Sequence, residues 1–146
     1  MQQFSERDGL SVVFSEVRLP RPAEVEYPAA LDDLEDRAAR GDIVLVAEDD
    51  GVAGCLAMSG DAAGSVACVD HLLVSPDKRR RGLGTGLLRE GVKHARQAGL
   101  RAVIASCLAT NGPAIAFYQR LGLEFCGYNE QRYADHQVTL LFAYRI

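Results

Sequence analysis

Hydrophobic and polar positions along the first third of the chain predict a strand followed by a short helix. Residues 11–17 alternate loosely between apolar and polar side chains, which indicates a first strand. From Pro28 onward, Leu31, Leu34 and Ala38 recur at spacings of three and four, as on one face of a helix. The helix is expected to end at Gly41.

The middle of the chain predicts three strands joined by tight turns. Apolar runs at 43–48 and 52–58 flank the sequence Asp49-Asp50-Gly51, which is typical of a β-hairpin. A second polar turn at 60–64 leads into residues 65–75, the longest strand candidate of the sequence.

The remaining elements are two helices and three strands. They are a helix with an apolar stripe from Leu83 to Ala95, a strand at 101–108, a helix at 113–121, and strands near 123–129 and 137–145. The order β-α-β-β-β-α-β-α-β-β predicts the α/β class, with a mixed sheet flanked by helices. Residues 1–146 are expected to form a single domain.

Composition restricts the class of protein further. The 146 residues are 48% hydrophobic and 25% charged, as in ordinary soluble domains, and the net charge of −4 argues against a general nucleic-acid coat protein. The polar start of the chain predicts no secretory signal, and no apolar run approaches the length of a membrane span. The four cysteines lie far apart, in strand-like apolar segments and without zinc-site spacing. We therefore expect a reduced, cytoplasmic protein with no metal site.

The segment between the longest strand candidate and the following helix carries the strongest chemical signal. Residues 78–81 are four consecutive cations, and Gly82 and Gly84 let the backbone turn closely around a ligand. The free N–H groups of the helix start point to the same place, which favours a phosphate or pyrophosphate. A Rossmann loop is excluded because Leu87 stands where its third glycine belongs, and a Walker loop because the chain has no Gly-Lys pair.

Two blocks of the sequence resemble the GNAT superfamily of N-acetyltransferases. Arg79-x-x-Gly82-x-Gly84 matches its Q/R-x-x-G-x-G/A signature, and Asn111 followed by residues 114–123 matches its second conserved segment. The resemblance covers residues 66–128. A finer similarity, to the streptothricin acetyltransferases within that superfamily, rests on residues 40–54, the DHLLV strand and the ending LLFAYRI.

The resemblance implies acetyl-coenzyme A as the cofactor and a central mixed, mostly antiparallel sheet. Backbone groups of Leu72, Leu73 and Val74 would pair with the pantetheine arm as an added strand would. Asn111 would contact the pantetheine or cysteamine part. The pyrophosphate would be held by the main-chain amides of Arg79, Arg80, Arg81, Gly82, Leu83, Gly84 and Thr85.

Acetylation of an amine requires a base near the amine and an acid near the departing sulfur. The resemblance assigns the acid to Tyr118, and a tyrosine suits that role because its ordinary pKa of about 10 keeps the hydroxyl protonated at neutral pH. Many relatives carry a glutamate where this chain has Ser106. Asp70 is the best remaining carboxylate for the base, and strand alternation predicts that His71 points to the opposite face. Base catalysis through water is the alternative.

The leading hypothesis is an N-acetyltransferase acting on a primary amine of a small molecule or a peptide. A non-catalytic acetyl-coenzyme A sensor is the alternative, which the missing glutamate favours and Tyr118 opposes. A nucleic-acid-binding module is disfavoured because the basic run has no aromatic neighbours and no second basic patch. A homodimer is expected to form, if at all, through the final strand, taken as an exposed edge with Leu140 to Tyr144.

Overall fold

A computed structural model describes residues 3–7, 10–14, 33–61 and 63–146 of the chain, with side chains described from Asp33 onward. The helices are α1 (Leu34–Ala39), α2 (Leu83–Gln97) and α3 (Gly112–Arg120). The strands are β1 (Gln3–Arg7), β2 (Leu10–Phe14), β3 (Ile43–Glu48), β4 (Val52–Gly60), β5 (Val66–Val74), β6 (Ala102–Leu108), β7 (Glu124–Asn129) and β8 (Thr139–Arg145).

The order of elements from α1 to the end of the chain confirms the prediction. Each predicted helix and strand is present there, with ends that differ by a few residues. The predicted first strand corresponds to β2, which forms an antiparallel hairpin with β1. The sequence missed β1 because its residues QFSER include only one apolar side chain. The predicted start of the first helix at residues 28–32 lies outside the described residues.

Six strands form the main sheet, in the order β3-β4-β5-β6-β8-β7. β4 pairs antiparallel with both β3 and β5, whereas β5 pairs parallel with β6. The predicted α/β class with a mixed, mostly antiparallel sheet is therefore confirmed.

The prediction that the final strand is an exposed edge is wrong. β8 lies between β6 and β7, so the sheet ends at β3 and β7 instead. Phe142, at the centre of β8, has no exposed surface. The position of the last strand between two earlier ones depends on pairing between distant segments, which the order of strands along the chain does not reveal.

Two compact units can be distinguished, each with buried side chains of its own. The first unit contains Cys107–Phe142 and the described residues before position 28, and the second contains 33–106 and Ala143–Ile146. Tyr118, Leu123 and Phe142 are buried in the first unit. In the described parts of the chain, no helix is long and apolar enough to cross a membrane.

Within the second unit, α2 packs against β3, β4 and β5. Leu87, Leu88 and Ala95 of the predicted stripe are buried, as is Gly91. A Cβ atom built on Gly91 would lie 2.4 Å from Leu56 Cδ2 and 3.0 Å from Met58 Cε, so only glycine allows this approach of helix to strand. Gly86 has no such role, because a Cβ there would meet nothing within 4 Å.

Replacement of Gly91 by alanine should destabilise the protein, although alanine is the better helix former. Leu56 and Met58 are almost completely buried, so their side chains would have to shift within the core. We expect a loss of about 1–3 kcal/mol in the free energy of unfolding, measured by urea denaturation. Gly86→Ala is the matched control and should stabilise by roughly 0.5–1 kcal/mol. A Gly91→Ala variant as stable as Gly86→Ala would contradict this account.

Candidate functional site

The loop between β5 and α2 presents an open helix start to solvent. After a short 3-10 helix at Pro76–Lys78, the chain passes through left-handed backbone conformations at Arg80 (φ 64°) and Gly82 (φ 83°). Gly82 is the N-cap residue of α2 and has no side chain with which to satisfy the first N–H groups of the helix. A Cβ on Gly82 would meet nothing within 4 Å, so no neighbouring atom crowds this residue. The phosphate site stays a prediction, and an uncapped helix start is compatible with it.

Arg79, the first residue of the predicted cradle of main-chain amides, makes two hydrogen bonds within its own part of the chain. The N–H of Arg79 donates a long hydrogen bond of 3.5 Å to the Pro76 carbonyl, which closes the 3-10 helix. The Arg79 guanidinium Nε donates to the Val74 carbonyl oxygen at 3.0 Å. Arg79 thus holds the loop to the end of β5.

Two cationic side chains of the loop form ion pairs with the hairpin between β3 and β4. Asp49 Oδ2 lies 3.1 Å from Lys78 Nζ and 3.6 Å from Arg81 Nη1. These ion pairs are exposed and therefore weak. Arg80 is exposed, and no ion pair involves it among the described residues.

β5 separates from β6 soon after the two strands begin. Their parallel pairing covers three residue pairs, from Val66–Ala102 to Cys68–Ile104, whereas β5 continues to Val74. Leu72, Leu73 and Val74 pair with β4 on one side only within the described residues. The pairing of Leu72–Val74 with the pantetheine arm stays a prediction, and the short pairing with β6 is compatible with it. An open cavity of about 250 Å³ adjoins the same end of β5, lined by Val52, Gly54, Cys55, Leu73, Val74, Ser75 and Pro76.

Asp70 occupies a β-bulge. His71 pairs with Ala57 and Val69 with Met58, so Asp70 is the extra residue of β5. The bulge interrupts the regular alternation from which the sequence argument placed Asp70 and His71 on opposite faces.

Arg37 of α1 contacts Asp70 directly. Its Nη1 donates to Asp70 Oδ2 at 2.7 Å, and its Nε donates to Asp33 Oδ2 at 2.9 Å. The Asp70 carboxylate raises the pKa of Arg37 above its ordinary value, and the Arg37 guanidinium lowers the pKa of Asp33. The predicted base is thus engaged by a charged partner that the sequence analysis missed. The spacing of Asp33 and Arg37 is readable as an i,i+4 pair, but the contact with Asp70 spans 33 positions.

Asn111 and Tyr118 belong to the first unit, separate from Asp70 and the loop in the second. Asn111 is the N-cap of α3, and its side-chain oxygen accepts a hydrogen bond of 3.2 Å from the Ala114 N–H. Tyr118 is buried, with its ring centroid 5.5 Å from that of Phe117 and 5.8 Å from that of Phe142. Both residues therefore have a structural role in addition to the predicted functional one.

The cysteines differ more in exposure than the sequence predicts. All four lie on strands and carry free thiols, but Cys126 is exposed. Burial raises the pKa of the Cys107 thiol to about 11 and also raises that of Cys55. Burial thus favours the neutral thiol over the thiolate at both positions.

The Acetyltransferase (GNAT) family model matches residues 10–123, which is most of the chain and includes both sequence blocks, the loop and α3. The chain belongs to the GNAT family.

Relatives of this GNAT chain include proteins that acetylate small molecules. It is 32% identical over 90 residues to a streptothricin acetyltransferase from Streptomyces lavendulae, covering 62% of this chain and 48% of the relative. It is 35% identical over 101 residues to an L-methionine sulfoximine/L-methionine sulfone acetyltransferase from Pseudomonas aeruginosa, covering 64% and 58% of the two chains. This chain spans 48%, 26% and 17% of the length of three curated relatives that it matches.

A solved structure shares the fold over the whole length of this GNAT chain. The protein, from Bacillus anthracis and assigned as a streptothricin acetyltransferase, is in complex with acetyl coenzyme A. The two structures superpose with a TM-score of 0.81 at 14% sequence identity, covering 100% of this chain and 84% of the other. At this identity, the similarity establishes the fold.

Two substitutions test whether Asn111 stabilises the protein as the N-cap of α3. Asn111→Ala removes the acceptor for the Ala114 N–H and should lower the free energy of unfolding by about 0.5–2 kcal/mol in urea. Asn111→Asp keeps an acceptor and adds a negative charge at the helix N-terminus, so its stability should match the wild type. Equal stability of Asn111→Ala and the wild type would show that the cap contributes nothing.

Proposed function

We propose that this GNAT chain is an N-acetyltransferase that transfers an acetyl group from acetyl-coenzyme A to a primary amine of a small molecule or a peptide. The observation that carries the proposal is the open, glycine-capped start of α2, located at the end of a strand that has separated from its neighbour. The names of the relatives support catalysis over the sensor alternative, because each of those described above is an acetyltransferase.

Two parts of the second unit are proposed to bind two different parts of coenzyme A. The amides of the loop after Arg79, through Thr85, would hold the pyrophosphate, with Arg80 supplying charge beside it. The backbone of Leu72–Val74 would hydrogen-bond the amides of the pantetheine arm in the manner of an added strand. In the first unit, Asn111 is proposed to contact the pantetheine or cysteamine part with the atoms that its cap leaves available.

The chemistry forms an N–C bond and breaks a C–S bond. Acetyl-coenzyme A, when bound, supplies the acetyl group as an activated thioester. Tyr118 is proposed to donate its hydroxyl proton to the sulfur as the thiolate leaves, and to regain a proton from solvent. The proton lost by the amine passes to a base, for which Asp70 stays the sequence-based prediction and water the alternative.

The acceptor is proposed to be a small molecule or a peptide amine on the basis of the relatives. Their names include streptothricin and methionine derivatives, which differ in charge and size. We further propose a cytoplasmic location without nucleic-acid or membrane partners. The homodimer was predicted to form through an exposed β8. Because β8 is not an edge strand, that argument for a dimer no longer holds.

An acetylation screen tests the proposed function and the role of Tyr118 together. The wild type and Tyr118→Phe would be assayed by thiol release with polyamines, aminoglycosides, streptothricin, methionine sulfone and peptides. The phenylalanine keeps the ring between Phe117 and Phe142, so stability should hold and cofactor binding should shift by less than about 1 kcal/mol. Turnover should fall by roughly 10²–10⁴-fold because the thiolate leaves without its acid. A wild type inactive with every amine would reject the proposal, and an unimpaired Tyr118→Phe would reject the acid role.

A charge placed in the loop tests the phosphate site. Gly84 lies in the first turn of α2, where an aspartate is favourable to the helix dipole, so Gly84→Asp should fold normally. The added carboxylate would repel the pyrophosphate and occupy its space, and acetyl-coenzyme A should bind more than about tenfold more weakly by calorimetry. Gly84→Ala is the control that adds bulk without charge and should have a smaller effect. Unchanged affinity in Gly84→Asp would remove the phosphate site.

A further inference from the structure

Helix α1 contains no fully buried residue but takes part in several ion pairs. It has six residues, none of them buried, and so short a helix is not stable on its own. Arg37, on this helix, is nevertheless well covered, with 13% of its side chain exposed. Its guanidinium contacts three carboxylates, those of Asp33, Asp42 and Asp70.

These three carboxylates come from different parts of the second unit. Asp33 precedes α1, Asp42 directly precedes β3, and Asp70 lies at the bulge of β5. Since β4 lies between β3 and β5, the contact of 2.7 Å with Asp70 joins the helix to the second strand inward from the edge. The contact with Asp42 is longer, at 3.4 Å, and Asp42 also accepts hydrogen bonds from Arg40. Asp70 is thus the partner that links Arg37 to an interior strand of the sheet.

The bulge lies where the reacting end of the cofactor is expected, an argument that rests on the proposed function. A pantetheine arm that starts at the loop and follows Val74 to Leu72 runs along β5 towards Asp70. Two further residues of strand correspond to about 7 Å. The thioester would therefore end close to the bulge, and α1, tied to the bulge, would border the approach of the amine.

We propose that Arg37 is a positioning residue that fixes α1 at the acceptor side of the site, with Asp70 as its anchor. On this proposal Asp70 is not the base, because its carboxylate is committed to the guanidinium. The amine proton passes to water instead, while the N–C bond forms, the C–S bond breaks and Tyr118 protonates the sulfur. His71, Asp33, Asp42 and Arg40 are the other ionisable groups around this ion pair.

A double-mutant cycle tests the proposal. Arg37→Met, Asp70→Asn and the double variant would be assayed with streptothricin and with spermidine as acceptors. Arg40→Met is the matched control, since Arg40 is the exposed C-cap residue of the same helix and forms its ion pair with Asp42. Both single variants should raise the acceptor KM about tenfold and change kcat little, as expected when only binding of the acceptor is affected. The double variant should resemble either single one, and acetyl-coenzyme A affinity and the acidic limb of the kcat–pH profile should stay unchanged.

Hydrogen exchange gives a second readout that needs no acceptor. The amide of Arg37 in α1 and that of the C-cap residue at position 40 donate to the Asp33 and Asp36 carbonyls. Both should exchange faster in Arg37→Met and in Asp70→Asn but not in Arg40→Met. If Arg37→Met does not fold, Arg37→Lys serves in its place and should show a smaller change in the same direction.

Two results would overturn the proposal. A fall in kcat of roughly 10²–10⁴-fold with loss of the acidic limb in Asp70→Asn, but not in Arg37→Met, would identify Asp70 as the base. Wild-type acceptor KM and α1 exchange in Arg37→Met would show that the ion pair positions nothing. Failure of the proposed function itself is distinct, because the wild type would then transfer no acetyl group to any amine.

Discussion

The early separation of β5 from β6 is the constraint on which the candidate site depends. If β5 and β6 stayed paired up to Val74, the backbone groups on this edge of β5 would be hydrogen-bonded within the sheet. The pairing stops after Cys68, so Leu72 and Leu73 have β4 as their paired strand within the described residues, while the Val74 carbonyl accepts from Arg79. On the proposed function, the amide groups of an extended pantetheine arm would pair with this part of β5.

In the adjoining loop, the candidate phosphate site depends more on the backbone N–H groups than on the run of cations. Lys78 and Arg81 share their charge with Asp49 on the neighbouring hairpin, and Arg79 is used to hold the loop to Val74. The N–H groups at the start of α2 are not neutralised in this way. Their direction is set by Gly82, whose positive φ allows the chain to enter the helix without a capping side chain.

On our proposal, Asp70 is a carboxylate at the position expected for a base that anchors a neighbouring helix instead. A bulge brings the residue out of the ladder, and a guanidinium from a helix with no buried residue occupies it. An ion pair with 13% and 26% of its side chains exposed is sufficiently covered to orient both groups. Its loss would release the helix as well as the carboxylate.

The sequence by itself determined the local elements, the loop and the family blocks, because each depends on residues that are close together along the chain. The stripe of α2, the Asp-Gly hairpin and the glycines before the helix are all patterns within about one or two turns or strands. The tertiary structure alone decided the insertion of β8 between β6 and β7, the bulge at Asp70 and its contact with Arg37, 33 positions away. Those features arise from pairing between distant segments, in which geometry rather than periodicity selects the partner.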